Sequence, residues 1–140
     1  MPTYVLDTSV VMQWFHRTKE LHVFQAKKIW QDLSSGKINI ILPDIVFLEL
    51  LNAFIKGKNS TPESSYSILN ELYSAPITIT EVTLPVLEIA ATLMQEYNIA
   101  SYDAYFLALA KYEECQLISD DQKAHGQIND GSVIMLKDYQ

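Results

Sequence analysis

Five short apolar runs of four to six residues recur along the chain, with longer helical patterns between them: Thr3–Leu6, Ile38–Leu42, Ile77–Val82, Gln116–Ser119 and Ser132–Leu136. Strands that are apolar rather than amphipathic are covered on both faces, as happens where helices flank a parallel sheet. The alternation therefore predicts an α/β fold: a three-layer sandwich with a central, mainly parallel five-stranded sheet between helices.

The intervening segments carry helix start and stop signals. Asp7-Thr8-Ser9 offers N-cap chemistry to a helix bearing Val10, Val11, Trp14 and Phe15. A second helix covers Val23 to Leu33 and is stopped by Ser34-Ser35-Gly36. Pro43-Asp44 opens a third, running to about Ile55 and ended by Lys56-Gly57-Lys58-Asn59. Thr61-Pro62-Glu63 joins a cap, a first-position proline and a dipole-favoured acid, and this helix ends before Pro76. Thr83 caps a helix with Val86, Ala90, Leu93, Met94 and Tyr97 on one stripe, ended by Asn98; Ser101 caps another, through about Glu114.

With 140 residues, 49% hydrophobic and 19% charged, the chain suits one folded domain spanning residues 1–140. It shows no internal repeat, no low-complexity tract and no apolar run near the roughly 20 residues that span a bilayer. The start Met1-Pro2-Thr3 lacks the pattern of a secretory leader, so a cytoplasmic protein without a membrane partner is expected. A lone cysteine, Cys115, reads as a small buried thiol. The net charge of −7 argues against simple coating of nucleic acid, an objection that weakens if several acids hold divalent cations.

Four acids stand where charge is awkward. Asp7 follows Tyr4-Val5-Leu6, Glu49 lies within Ile45–Leu51, Asp103 opens an Ala/Leu-rich helix, and Asp121 follows Leu117-Ile118-Ser119. A desolvated carboxylate costs several kcal/mol unless it is paired, hydrogen-bonded or bound to a cation. Each has an ordinary reading alone: Asp7 as an N-cap, Asp103 as an acid favoured by a helix dipole, Glu49 as half of an ion pair. Together they suggest a site for a hard divalent ion with oxygen ligands. Asp7 and Asp121 each follow a strand and so project from one sheet edge if those strands are parallel neighbours. Asp103 shares a stripe with Phe106, Leu107 and Ala110, which turns it inward, and Asn52 shares the face of Glu49 as a potential outer donor.

These residues resemble the PIN-domain ribonucleases, closest to the toxins of VapBC-type toxin–antitoxin pairs. The resemblance spans nearly the whole chain. It rests on Leu6-Asp7-Thr8-Ser9-Val10-Val11 with Trp14-Phe15, Pro43 followed by Glu49-Leu50, Tyr102-Asp103-Ala104-Tyr105-Phe106-Leu107-Ala108-Leu109-Ala110, and Leu117-Ile118-Ser119-Asp120-Asp121. It implies an endoribonuclease dependent on Mg²⁺ or Mn²⁺, with Asp7, Glu49, Asp103 and Asp121 as metal ligands. Ser119 and Thr8 (or Ser9) fall on hydroxyl positions that place water or phosphate oxygens. It also implies RNA as substrate, products ending in 5′-phosphate and 3′-hydroxyl, a cognate antitoxin and a homodimer. The chain has Ser119 where the family usually has Thr, and Asp120 where a small or neutral residue is common. The fourth position is therefore open between Asp120 and Asp121.

Other residues read more simply. His16, His22 and His125 show no ligand spacing and are expected at the surface. Lys27-Lys28 and Lys56-Gly57-Lys58 suit solvated helix faces, with Lys56 near enough to Glu49 to meet RNA. Trp14 and Phe15 suit core or interface positions; among Phe24, Ile29 and Trp30, some are expected to be exposed until another chain covers them. A haloacid-dehalogenase phosphatase needs a second Asp where Ser9 stands, and a receiver domain needs paired acids at the first strand end. The remaining rival is a catalytically silent PIN-fold scaffold for protein binding, which the presence of all four acids disfavours.

Overall fold

A computed structural model describes residues 1–15 and 22–140. The described residues contain five strands: β1 (Thr3–Leu6), β2 (Asn39–Pro43), β3 (Thr78–Thr80), β4 (Gln116–Ser119) and β5 (Val133–Met135). They form one sheet in the order β3-β2-β1-β4-β5, with every neighbouring pair parallel, so the sheet is wholly rather than mainly parallel. Val5, Leu6, Ile40, Leu42, Leu117 and Ile118 are at most 1% exposed, which is why the strand runs are apolar on both faces.

Seven helices surround the sheet among the described residues: α1 (Thr8–Phe15), α2 (Val23–Ser34), α3 (Ile45–Asn52), α4 (Pro62–Tyr73), α5 (Leu84–Tyr97), α6 (Ser101–Tyr112) and α7 (Gln122–His125). α6 packs on β1, β2 and β4 with α5 against it, while α1 meets α2 and α3, and α3 meets α4. Seven consecutive residues of α6, Ala104 to Ala110, are buried. A helix apolar all round belongs inside, between the sheet and α5. Burying each large side chain of this layer contributes about 1.5–3 kcal/mol.

Local chemistry explains most boundaries. Thr61 caps α4 by accepting the Ser64 N–H at 3.1 Å, with Pro62 at the first helical position. α2 stops as expected, with Gly36 left-handed at φ +77°, and Asn98 closes α5 at φ +54°.

Three expectations need correction. The helix placed from Pro43-Asp44 to Ile55 starts at Ile45 and loosens into a π-helical turn over Ala53–Gly57. Ser101 is the first residue of α6 rather than its cap, a position held by Ala100. Thr83 precedes α5, but its side chain makes no capping bond; its N–H donates instead to the Tyr105 hydroxyl at 3.1 Å. That bond ties the entry of α5 to the middle of α6, so tertiary contact supplies what local capping does not.

Candidate functional site

The chain lays β2 and β3 on one side of β1, then returns to lay β4 and β5 on the other. The strand order thus reverses between β1 and β4, and in open α/β sheets the crevice beyond the carboxyl ends at such a point is the natural binding site. Asp7 is the first residue past β1 and is only 5% exposed. Its N–H donates to the Ile118 carbonyl at 2.9 Å, extending the pairing with β4. Its carboxylate accepts the Ser9 N–H at 3.0 Å and the Ser9 hydroxyl at 2.6 Å. The Ser9 hydroxyl in turn accepts the Asp120 N–H at 3.0 Å, joining the ends of the two central strands.

Glu49 and Asp103 reach this edge from helices. Both are half-buried, Glu49 on α3 and Asp103 in the first turn of α6. The Thr8 hydroxyl donates to Glu49 Oε1 at 2.7 Å, so Thr8 meets an acid, as its position after Asp7 allows. Burial pushes the Glu49 carboxyl up; the Thr8 hydrogen bond opposes this, and the charges of Asp7 and Asp103 add to it. Burial also raises Asp103, helped by Asp7 and Asp121 and opposed by His125. Asp7 therefore acts on both helix acids and Asp121 on Asp103, so the four carboxyls share one electrostatic neighbourhood. Among the described residues none of the four forms an ion pair.

The two acids after β4 face different ways. Asp120 accepts from Gln13 Nε2 at 2.5 Å and pairs with His22 Nδ1 at 2.7 Å, which turns it toward α1 and the start of α2. Asp121 caps α7 by accepting the Ala124 N–H at 3.0 Å and adds its charge to Asp103. Asp121 is thus the acid that adjoins Asp103. His22, expected at the surface, is half-buried through its pairing with Asp120; His16 lies outside the described residues.

Ser119 and His125 depart further from expectation. Ser119 is fully buried, so its hydroxyl does not face solvent; it accepts the Asp121 N–H at 3.1 Å and meets His125 Nδ1 at 2.7 Å. His125, read from sequence as a surface residue, is also fully buried, and its Nε2 reaches the Asp103 carbonyl at 3.0 Å. A one-turn helix turns His125 back toward the sheet, and no residue spacing announces that. The one available signal was its polarity next to the apolar Ala124 and Ile128, both of which are buried. Asn52 is exposed, and Thr8 rather than Asn52 donates to Glu49. Lys56 is exposed, in the π-helical turn that follows α3. Trp14 and Ile29 are core residues, Phe15 and Trp30 are half-buried, and Phe24 is 79% exposed.

The donor set is all oxygen, which suits Mg²⁺ and Mn²⁺. Two of the four carboxyls are raised, first by burial and then by neighbouring negative charge, and a divalent ion would offset both. In donor chemistry the residues fit such an ion. Among the described residues, however, no three Asp, Glu, His or Cys side chains stand close enough to hold one together. Asp7, Glu49 and Asp121 each accept from a hydroxyl or amide donor through one carboxylate oxygen, Asp7 from Ser9, Glu49 from Thr8 and Asp121 from Ala124.

The PIN-domain family model matches residues 4–127. The fold is similar to that of VapBC2 from Rickettsia felis bound to a promoter DNA fragment, at 17% identity and a TM-score of 0.73, covering 95% of this chain and 98% of that one. It is similar to DNA-bound VapBC from Salmonella typhimurium, at 14% identity and 0.71, covering 97% and 99%. It is also similar to Mycobacterium tuberculosis VapC20, a sarcin–ricin-loop-cleaving toxin, at 15% identity and 0.68, covering 88% and 93%. No curated protein sequence matches the chain. Among the described residues no helix is long and apolar enough to cross a membrane.

Proposed function

The chain belongs to the PIN-domain family, and on that premise we propose that its 140 residues form a single PIN domain acting as a metal-dependent endoribonuclease, the toxin of a type II toxin–antitoxin pair. The observation that carries this reading is the gathering of Asp7, Glu49, Asp103 and Asp121 at the strand-order reversal, with Glu49 and Asp103 raised by burial and by their neighbours' charge.

Asp7, Glu49, Asp103 and Asp121 would hold Mg²⁺ or Mn²⁺, which supplies Lewis-acid chemistry at an RNA phosphodiester when bound. The protein's own groups do the positioning. Thr8 orients Glu49, Ser9 orients Asp7, and Ser119 fixes the backbone of Asp121 from inside the fold. Attack by water in line with the scissile bond leaves a 5′-phosphate and a 3′-hydroxyl. A protein antitoxin and a second copy of the chain are the proposed partners, and the exposed Leu48, Tyr66 and Leu84 offer apolar surface to them.

The test incubates purified, antitoxin-free protein with total RNA and with tRNA in Mg²⁺ or Mn²⁺, beside Asp7→Asn and Asp103→Asn. Cleavage by the wild type alone, with 5′-phosphorylated products, is expected. RNA left equally intact by all three proteins in both metals favours the silent scaffold instead.

A further inference from the structure

We infer that His125 is a positioning residue of this site, holding the main chain at Asp103 and Asp121 in fixed relation; the inference rests on the metal-nuclease reading above. The ring is fully buried, with both nitrogens engaged. A carbonyl oxygen only accepts, so Nε2 carries the proton and donates to the Asp103 carbonyl at 3.0 Å. The Ser119 hydroxyl accepts the Asp121 N–H at 3.1 Å, which leaves its own hydrogen for His125 Nδ1 at 2.7 Å. Every polar atom of this chain of bonds is satisfied with the Nε2–H tautomer. It runs from the first turn of α6, through the imidazole and the serine, to the backbone beyond β4.

The linkage matters because α7 has little stability of its own. It is one turn, four residues long, and isolated helices of that length do not persist in water. Asp121 caps it at one end, and at the other the His125 N–H donates to the Asp121 carbonyl at 2.9 Å. The imidazole anchors the turn to β4 and α6, so the Asp121 side chain projects from a fixed base. Without it, the turn that carries Asp121 loses its side-chain tie to the first turn of α6, although neither carboxylate is touched.

The test measures Mn²⁺ affinity by electron paramagnetic resonance of free Mn²⁺, alongside RNA cleavage, for wild type, His125→Phe and His125→Gln. Phe fills the space without hydrogen bonds, whereas Gln retains a donor for the Asp103 carbonyl. His125→Phe is expected to weaken Mn²⁺ binding about tenfold, the usual scale for outer partners of a metal site, and His125→Gln to recover most of that loss. Wild-type affinity in His125→Phe overturns the inference, as does a Gln variant no better than Phe. If His125→Phe does not fold, His125→Asn replaces it; Asn is too short to reach Asp103, and the same outcomes decide. A wild type that binds no Mn²⁺ overturns the metal-site reading itself, which separates that failure from failure of the His125 inference alone.

Discussion

Two regions of the molecule bury carboxylates, and they treat the charge in opposite ways. Asp32, on α2, is 7% exposed and accepts from Lys28 Nζ at 3.1 Å and from the Tyr139 hydroxyl at 2.7 Å. Burial alone would raise it, but the Tyr139 and Lys28 hydrogen bonds and the charges of Lys28 and Lys37 outweigh that and hold the acid below its usual range. At the sheet edge Asp7 and Glu49 have hydroxyl donors and Asp121 an amide donor, but among the described residues none of the four acids forms an ion pair, and Glu49 and Asp103 are pushed up. A buried acid with a resident cation latches the C-terminal segment to α2. On the proposed function, the edge acids without one would take a cation from outside, and the contrast would then separate a structural carboxylate from a functional one.

The largest expected effect is on cleavage. Asp7→Asn or Asp103→Asn should lower the rate of RNA hydrolysis by at least ~100-fold, since direct ligands should matter no less than outer partners, while Asp32→Asn leaves it near wild type. Equal losses from Asp32→Asn and Asp103→Asn would dissolve the distinction. Next comes stability. Asp32→Ala strands the Tyr139 hydroxyl and the Lys28 ammonium and should cost about 1–3 kcal/mol in urea unfolding, whereas metal-free Glu49→Gln, relieved of an unbalanced charge, should unfold no earlier than wild type.

A smaller effect is the pH dependence of the metal-free protein. Glu49 and Asp103 have folded-state pKa values above their ordinary 4.5 and 3.8, so the folded state binds protons more readily than the unfolded chain. Their penalty is complete above the raised values and is relieved as pH falls through them. Asp32 works in reverse: its contribution is present above 3.8 and is lost as pH falls toward its lowered value. Melting temperature should therefore rise as pH drops through the raised values of Glu49 and Asp103 and fall again as it drops below 3.8, with the rise flattened in Glu49→Gln and the acid-side loss reduced in Asp32→Asn. The smallest effect is a control: Lys111→Ala breaks an exposed pair with Asp130, 2.9 Å apart, and should change stability by less than about 1 kcal/mol.

Much of this contrast is legible in the sequence, and what is missing is long-range. The sheet, the strand ends and the four acids follow from local patterns, because a run such as Tyr4-Val5-Leu6 followed by Asp7 declares both a buried strand and its carboxyl end. Capping at Thr61 and termination at Gly36 and Asn98 are equally local. The choice between Asp120 and Asp121 is not, since it depends on Gln13 and His22, more than 90 residues distant in the chain. The burial of His125 depends on α6 lying beside β4, and the inward turn of Ser119 on where that imidazole ends up. Asp32 carried no signal as a latch because its partner Tyr139 is 107 residues away.

The most direct test of the central claim is the shift in melting temperature produced by millimolar Mn²⁺ in wild type, Asp32→Asn and Asp103→Asn. A ligand that binds only the folded state at about 100 times its dissociation constant stabilises by about 2.7 kcal/mol. Mn²⁺ binding by the four edge acids predicts a clear rise in wild type, the same rise in Asp32→Asn from its own baseline, and a much smaller one in Asp103→Asn. No rise in wild type, or equal rises in all three, would contradict it.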